Sequence, residues 1–181
     1  MVVYQGALKA VMTFTTESST ANFAKVFVSS NPNAVARVTS DFTALNVDEQ
    51  LAVLWFLYTK MGRTITPAAP GAARLQFAEG LLNEIKQMSP QDQMKAMRDL
   101  VASINSPISR AYGVLGDNTK LAFWYQLAEW MKEGSVIGVP AGYPVSRASS
   151  QAIAAIEQLE FSQQITVLRN AVSGMGIDPL A

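Results

Sequence analysis

The chain contains neither cysteine nor histidine among its 181 residues. Without cysteine it can form no disulfide, thiolate nucleophile, cysteine-ligated iron–sulfur cluster or thioether-linked bilin. Without histidine it lacks the usual ligand for zinc, copper and haem, and the usual general base near neutral pH. Side-chain chemistry in this protein is therefore limited to Ser, Thr, Tyr, Lys and carboxylates.

Catalytic motifs are also missing. The glycines form neither a phosphate-binding loop nor a GxGxxG sequence. Glu129 and Glu133 are spaced as a carboxylate pair on a helix, but beside Lys132 they are more simply a solvated face. Ser149 and Ser150 have no neighbouring base. We therefore predict that the protein is not an enzyme and holds no metal.

Charge is low and evenly divided. Fourteen basic and fourteen acidic residues cancel, and neither sign forms a long run. A nucleic-acid partner or an anionic membrane surface would need a basic patch, which the sequence lacks. The longest apolar run falls far short of the ~18 residues of a membrane span. The N-terminus does not resemble a signal peptide, so we expect a cytoplasmic protein that does not span a membrane.

Helix signals recur along the chain, and residues 136–139 form the only plausible strand. Asn31 and Pro32 begin one helix, Asp48 is the expected cap of the next, and Ser89-Pro90 is a strong helix start. The sequence thus predicts an all-α protein with eight or nine helices. The expected helices include residues 21–30, 32–45, 72–88, 90–104, 107–112, 117–133, 147–159 and 162–173, with connectors at 64–71 and 134–144.

Two of these helices are apolar all round, in the blocks Leu51–Tyr58 and Leu121–Tyr125. Such helices must be covered on more than one side, which suggests two helical layers or an apolar ligand between them. Trp and Tyr carry a polar tip that suits a ligand wall, although core packing is the simpler interpretation. Met94 and Met97, on one face of another helix, are more simply core residues, although flexible thioethers also suit an irregular apolar ligand.

Five segments resemble the N-terminal domain of the cyanobacterial orange carotenoid protein. They are residues 48–62, 68–72 (Ala-Ala-Pro-Gly-Ala), 120–125 (Lys-Leu-Ala-Phe-Trp-Tyr), 140–143 (Pro-Ala-Gly-Tyr) and 163–172 (Gln-Gln-Ile-Thr-Val-Leu-Arg-Asn-Ala-Val). The resemblance runs from about residue 39 to residue 176. Since the chain ends at Ala181, it is most similar to a stand-alone helical carotenoid protein, without the C-terminal domain of that photoswitch.

The resemblance implies two interleaved four-helix bundles with a ketocarotenoid of the canthaxanthin, echinenone or 3'-hydroxyechinenone type between them. It divides the chain into an N-terminal arm, residues 1–20, and one carotenoid-binding domain of two subdomains, residues 21–181. It implies that Tyr58 and Trp124 flank one ionone ring. The expected pigment-binding residues are Leu51, Leu54, Trp55, Tyr58, Met94, Met97, Leu121, Trp124, Tyr125, Met131, Val139, Pro140, Tyr143, Ile165 and Thr166. Arg98 departs from the family, which has an apolar thiol there.

The resemblance also implies a role in photoprotection, by quenching singlet oxygen or phycobilisome excitation, with a single spectral state. Asn118 and Arg169 match polar residues that face the C-terminal domain in the photoswitch, and we expect them to be exposed and free for another partner. That partner would be the phycobilisome, at the thylakoid, or a separate C-terminal-domain-like carotenoid carrier. A monomer is expected. Two alternatives stay open: a carotenoid carrier that exchanges pigment with such a partner, and a pigment-free structural helical adaptor.

Overall fold

The computed structural model describes residues 32–65 and 74–179, with side chains from Asn33 to Met61 and from Arg74 to Pro179. Within these ranges every regular element is a helix, which confirms the all-α prediction. A short 3₁₀ helix spans Leu75–Phe77. The α-helices are α1 (Pro32–Thr43), α2 (Val47–Ile65), α3 (Glu79–Gln87), α4 (Pro90–Val101), α5 (Pro107–Gly113), α6 (Asp117–Glu133), α7 (Arg147–Glu157) and α8 (Phe161–Ser173).

The helices form two interleaved groups, as expected. Helices α1, α2, α7 and α8 pack on one another, and so do α3, α4 and α5. Side chains join α6 to this second group, since Trp124 bonds to Tyr112 of α5 and Lys86 of α3 lies over the ring of Trp130. The chain leaves the first group after α2 and returns to it at α7. Helices α2 and α6 lie where the groups meet, because α2 contacts α4, α6 and α7 while α6 contacts α2 and α8.

Helices α2 and α6 are covered on more than one side, which agrees with their all-round apolar sequences. On α2, Leu57 is fully buried, and so is Tyr58, about 100° further around the helix. On α6, Phe123 and Leu127 are fully buried and Trp124 is 3% exposed. The two apolar blocks therefore form the centre of the domain.

The cap of α2 differs from the prediction. Asn46, and not Asp48, caps this helix: the Glu49 N–H donates to Asn46 Oδ1 at 3.0 Å, and the Asn46 N–H donates to Glu49 Oε2 at 3.2 Å. This reciprocal capping box requires a spacing of three residues, which Asn46 and Glu49 have. Asp48 lies in the first turn and forms an ion pair with Arg98. The predicted cap of α4 is confirmed, since the Asp92 N–H donates to Ser89 Oγ at 3.2 Å.

Two other helix boundaries were predicted wrongly. The helix expected over 72–88 begins at Glu79, because Arg74 has a left-handed backbone (φ 42°) and a 3₁₀ turn follows it. The helix expected to reach Ile104 ends at Val101. Ser103 is left-handed (φ 51°), and the N–H groups of Ser103 and Ile104 donate to the carbonyls of Leu100 and Asp99. This is a Schellman motif, which ends a helix.

The expected strand and the expected N-terminal elements are not among the helices described above. Residues 136–139 are irregular and form no strand. The arm 1–20, the helix 21–30 and most of the connector 64–71 lie outside the described residues. None of the described helices is long and apolar enough to cross a membrane.

Candidate functional site

An apolar cavity of about 40 Å³ lies between α2, α4, α6 and the irregular segment that follows α6. We call it the central cavity. None of the residues that line it is charged. They are Leu51, Leu54, Trp55, Tyr58, Met94, Met97, Trp124, Ala128, Met131, Ile137, Gly138 and Val139.

Nine of the fifteen expected pigment-binding residues line the central cavity. They come from α2, α4, α6 and the following segment: Leu51, Leu54, Trp55, Tyr58, Met94, Met97, Trp124, Met131 and Val139. The structure thus brings together three helices that are distant in sequence. Binding of pigment by these nine stays a prediction.

The other six expected residues do not line the cavity. Leu121 is buried in α6, and Tyr125 on the same helix is half-buried. Pro140 is exposed, and Tyr143 is half-buried in the loop before α7. The last two, Ile165 and Thr166, are half-buried on α8. For all six, contact with a pigment also stays a prediction.

Three lining residues were not predicted: Ala128, Ile137 and Gly138. Ala128 follows Trp124 by four residues, so the helical spacing of the α6 stripe was the signal for it. Gly138 lies against Met131, since a Cβ at Gly138 would be 3.3 Å from Met131 Cβ. Periodicity gives no signal for Ile137 or Gly138, because their segment is irregular.

Tyr58 joins α2 to α6 across the cavity region. Its hydroxyl is buried and donates to the Leu121 carbonyl at 3.1 Å. Burial raises the pKa of Tyr58 far above its usual range, because the interior disfavours the phenolate. The phenol therefore remains a neutral donor.

Trp124 is held from behind by Tyr112. The Trp124 Nε1–H donates to the Tyr112 hydroxyl at 3.0 Å, and that hydroxyl donates to the Val172 carbonyl at 2.8 Å. Burial raises the pKa of Tyr112 well above its usual range, while the bond from Trp124 lowers it by a smaller amount. With its N–H satisfied, the indole contributes an apolar surface to the cavity.

These partners weaken one argument from the sequence. Polar tips that end in buried hydrogen bonds suit a packed core as well as a ligand wall, so the tips do not separate the two interpretations. The apolar cavity favours a ligand wall, because well-packed interiors contain few voids. The lining also fits a long conjugated hydrocarbon, since it combines aromatic rings with flexible thioethers and carries no charge.

A second feature is a polar surface groove lined by Arg74, Phe77, residues 116–119 and Arg169. Arg169 is half-buried, and its Nε donates to Asn118 Oδ1 at 3.1 Å. Asn118 is exposed, as expected, but the two side chains bond to each other and so are not free. Binding of a partner by these two residues stays a prediction. The ring of Phe77 is 65% exposed in the same groove.

The sequence has close relatives. A family described as "Orange carotenoid protein, N-terminal" matches residues 28–178. An orange carotenoid-binding domain-containing protein of Nostoc sp. is 56% identical over 170 residues, which cover 94% of this chain and 99% of the relative. The orange carotenoid-binding protein of Synechocystis sp. is 45% identical over 165 residues, 91% of this chain but 51% of the relative. The chain thus spans about half the length of that protein.

Solved structures give the same result. The orange carotenoid protein of Anabaena (Nostoc) sp., solved binding canthaxanthin, superposes with a TM-score of 0.75 at 46% identity, over 81% of this chain and 48% of that one. The red carotenoid protein of the same organism, also solved binding canthaxanthin, has a TM-score of 0.70 at 38% identity, over 78% and 97%. By sequence and by fold, this chain belongs to the orange carotenoid protein N-terminal domain family.

Proposed function

We propose that this protein binds one ketocarotenoid in the central cavity and acts in photoprotection. The observation that carries the proposal is an uncharged cavity between two helices that are buried on more than one side. Relatives of the same fold are solved with canthaxanthin bound. These two facts support a carotenoid over a pigment-free adaptor.

The dimensions support a polyene that lies along the helices. Helix α2 has 19 residues and α6 has 17, so they are ~28 and ~26 Å long, close to the ~30 Å of a polyene. The cavity, at about 40 Å³, is far smaller than the ~300–1,000 Å³ of typical ligand pockets. Binding therefore requires side chains to move apart, and the thioethers of Met94, Met97 and Met131 are the most adaptable of the lining groups.

The residues of the chain then have separable roles. Tyr58 and Trp124 flank one ring of the pigment, and their orientation is fixed by bonds to Leu121 and Tyr112. The apolar lining excludes water and keeps charge away from the conjugated system. The carotenoid, when bound, supplies the absorption and the quenching of singlet oxygen or of excitation in the phycobilisome.

The polar groove is the proposed docking surface for the phycobilisome or for a separate C-terminal-domain-like carotenoid carrier. It combines the guanidinium groups of Arg74 and Arg169 with the exposed ring of Phe77. Arginine and aromatic side chains are enriched at protein interfaces. Asp117 lines the same groove, so two guanidinium groups face one carboxylate, and a partner surface that is acidic overall and has an apolar centre is complementary.

Expression in a ketocarotenoid-producing host tests the proposal. The purified protein is expected to absorb visible light and to release one carotenoid per chain on extraction. The same protein from a host without carotenoids is the matched control for helix content by circular dichroism. A well-folded but colourless protein from the producing host would overturn carotenoid binding.

With pigmented protein in hand, two assays separate the roles. Quenching of singlet oxygen needs only the protein, whereas antenna quenching is measured as a loss of phycobilisome fluorescence. Activity in neither assay would overturn photoprotection and leave carotenoid transport.

A further inference from the structure

Gln93 is a buried amide whose hydrogen bonds all go to backbone groups of other segments. Only 3% of the surface of Gln93 is exposed. Its Nε2 donates to the carbonyls of Lys86 and Ser135, each at 3.3 Å, and its Oε1 accepts from the Ile137 N–H at 2.8 Å. One side chain of α4 thus holds the end of α3 and the segment after α6.

The segment held by Gln93 forms one wall of the central cavity. Residues 137–139 line the cavity, and we call them the cavity wall. Gln93 stands directly before Met94 and four residues before Met97, which line the same cavity from α4. The wall and the two methionines are therefore tied together by one amide.

The backbone of the cavity wall depends on this amide. The N–H groups of Ser135 and Val136 both donate to the Trp130 carbonyl, which continues the end of α6. The Ile137 N–H donates to a side chain instead, that of Gln93. Immediately after it, Gly138 lies on Met131 so closely that a Cβ would require Met131 to shift by a few tenths of an ångström. The wall is thus placed from one side by Gln93 and from the other by Met131.

We propose that Gln93 is a positioning residue that sets the distance of the cavity wall from α2 and α6, and thereby tunes the pigment. The tuning of a pigment rests on the function proposed above. The placement of the cavity wall by Gln93 does not, and it can be tested in protein without pigment. A residue that only stabilised the fold would change neither the spectrum nor the choice among carotenoids.

The test uses Gln93→Met, which keeps the length of the side chain and removes all three bonds. Hydrogen exchange of the Ile137 amide is expected to become at least several-fold faster in the variant, both with and without pigment. Pigment occupancy from a ketocarotenoid-producing host is expected to fall several-fold, and the visible maximum of the remaining pigmented protein to shift.

Gln164→Met is the matched control. The Nε2 of Gln164 donates to the carbonyls of Glu157 and Leu159, at 3.3 and 2.8 Å, so it also ties a turn to a helix. Gln164 does not line the central cavity. Its replacement is expected to lower stability while leaving the visible maximum and the Ile137 exchange unchanged.

Gln93→Glu is the second variant, in case Gln93→Met does not fold. At mildly acidic pH the buried carboxyl is protonated, so it still accepts from the Ile137 N–H and donates to one of the carbonyls of Lys86 and Ser135, and an intermediate spectral shift is expected. An unshifted spectrum with full pigment occupancy in the folded variant would overturn the tuning role. An unchanged exchange rate of the Ile137 amide in Gln93→Met would show that Gln93 does not fix the cavity wall. If wild type and variants are all colourless, the proposed function fails and the tuning role with it, while the exchange rate still decides whether Gln93 fixes the wall.

Discussion

The indole Nε1–H of Trp124 donates to the hydroxyl of Tyr112 at 3.0 Å, behind the face that Trp124 turns to the central cavity. Because the same hydroxyl donates to the Val172 carbonyl, one phenol ties α6 and α5 to α8. The ring of Phe123 packs edge-on against Tyr112, with centroids 5.1 Å apart. The orientation of Trp124 is thus determined by groups that do not touch the cavity.

Tyr112→Phe tests this arrangement. The change removes one hydroxyl and leaves the buried Trp124 N–H without its partner, while the Val172 carbonyl keeps the bond that it accepts from the Met175 N–H at 3.3 Å. We expect a loss of about 1–3 kcal/mol in the free energy of unfolding, measured with urea, together with a shift of the visible spectrum. Trp124→Phe and the double variant complete a cycle that isolates the coupling between the two residues. Equal stability of Tyr112→Phe and wild type would show that the bond contributes nothing.

Tyr58 and Tyr112 predict a loss of stability at alkaline pH. Burial raises the pKa of both phenols, so the folded chain keeps two protons that the unfolded chain loses above about pH 10. Each tyrosine then lowers the free energy of unfolding by about 1.4 kcal/mol per pH unit. Lys120 has the opposite effect on the free energy of unfolding. Desolvation lowers the pKa of Lys120, while Asp117 and Asp178 raise it by less, so this residue makes the protein more stable as the pH rises towards 10.5.

Tyr58→Phe isolates one of these contributions. Urea unfolding at several pH values above 10.5 is expected to give a slope that is shallower than the wild-type slope by about 1.4 kcal/mol per pH unit. The variant is also expected to be less stable near neutral pH, because the buried bond from the Tyr58 hydroxyl to the Leu121 carbonyl is lost. If the free energy of unfolding fell equally steeply with pH in the variant and in the wild type, Tyr58 would not be a source of the alkaline instability.

The ion pair between Arg98 and Asp48 joins the end of α4 to the start of α2. The Nε and Nη2 of Arg98 donate to the two carboxylate oxygens at 2.7 and 3.1 Å, but both side chains are about half exposed, at 49% and 52%. Arg98→Met is therefore expected to cost no more than about 1 kcal/mol of unfolding free energy, and less at high salt. A loss above about 2 kcal/mol that does not respond to salt would contradict a solvent-screened pair.

Arg169→Glu tests the polar groove as a docking surface. The substitution reverses the charge and breaks the bond to Asn118, so association with isolated phycobilisomes or with a C-terminal-domain-like carrier is expected to weaken at least several-fold. Pigment occupancy is expected to stay the same, because Arg169 does not line the central cavity. Arg147→Glu, on exposed residue 147 at the start of α7, is the control for charge alone. Unchanged binding by Arg169→Glu would exclude this groove.

The sequence predicted which residues share a helix face, because helical periodicity determines this. The stripes on α2 and α6 repeat every three to four residues, so Leu51, Leu54, Trp55 and Tyr58 were assigned to one face and lie together on the cavity. The same periodicity misled at Leu75, where 3₁₀ and α-helical spacing place apolar residues alike. It also gave no reason to prefer Asn46 over Asp48 as the cap of α2.

Long-range polar contacts were beyond the sequence. The cavity wall is placed by Gln93, which is 44 residues from Ile137 in the chain, and a glutamine within a helix carries no sign that it is buried. Likewise, the resemblance to the family identified Arg169 and Asn118 as single positions in the sequence. Their bond to each other depends on the packing of α6 against α8, which the sequence does not show.

A crystal structure of the protein purified with its pigment would show directly whether the central cavity is the carotenoid site. We expect one carotenoid between α2, α4 and α6, with its polyene against Met97 and Trp55 and one ring between Tyr58 and Trp124. Compared with the pigment-free protein, the methionine side chains and not the Gln93 bonds are expected to move. A carotenoid bound on another surface, with the volume of the central cavity still about 40 Å³, would rule out the central cavity as the binding site.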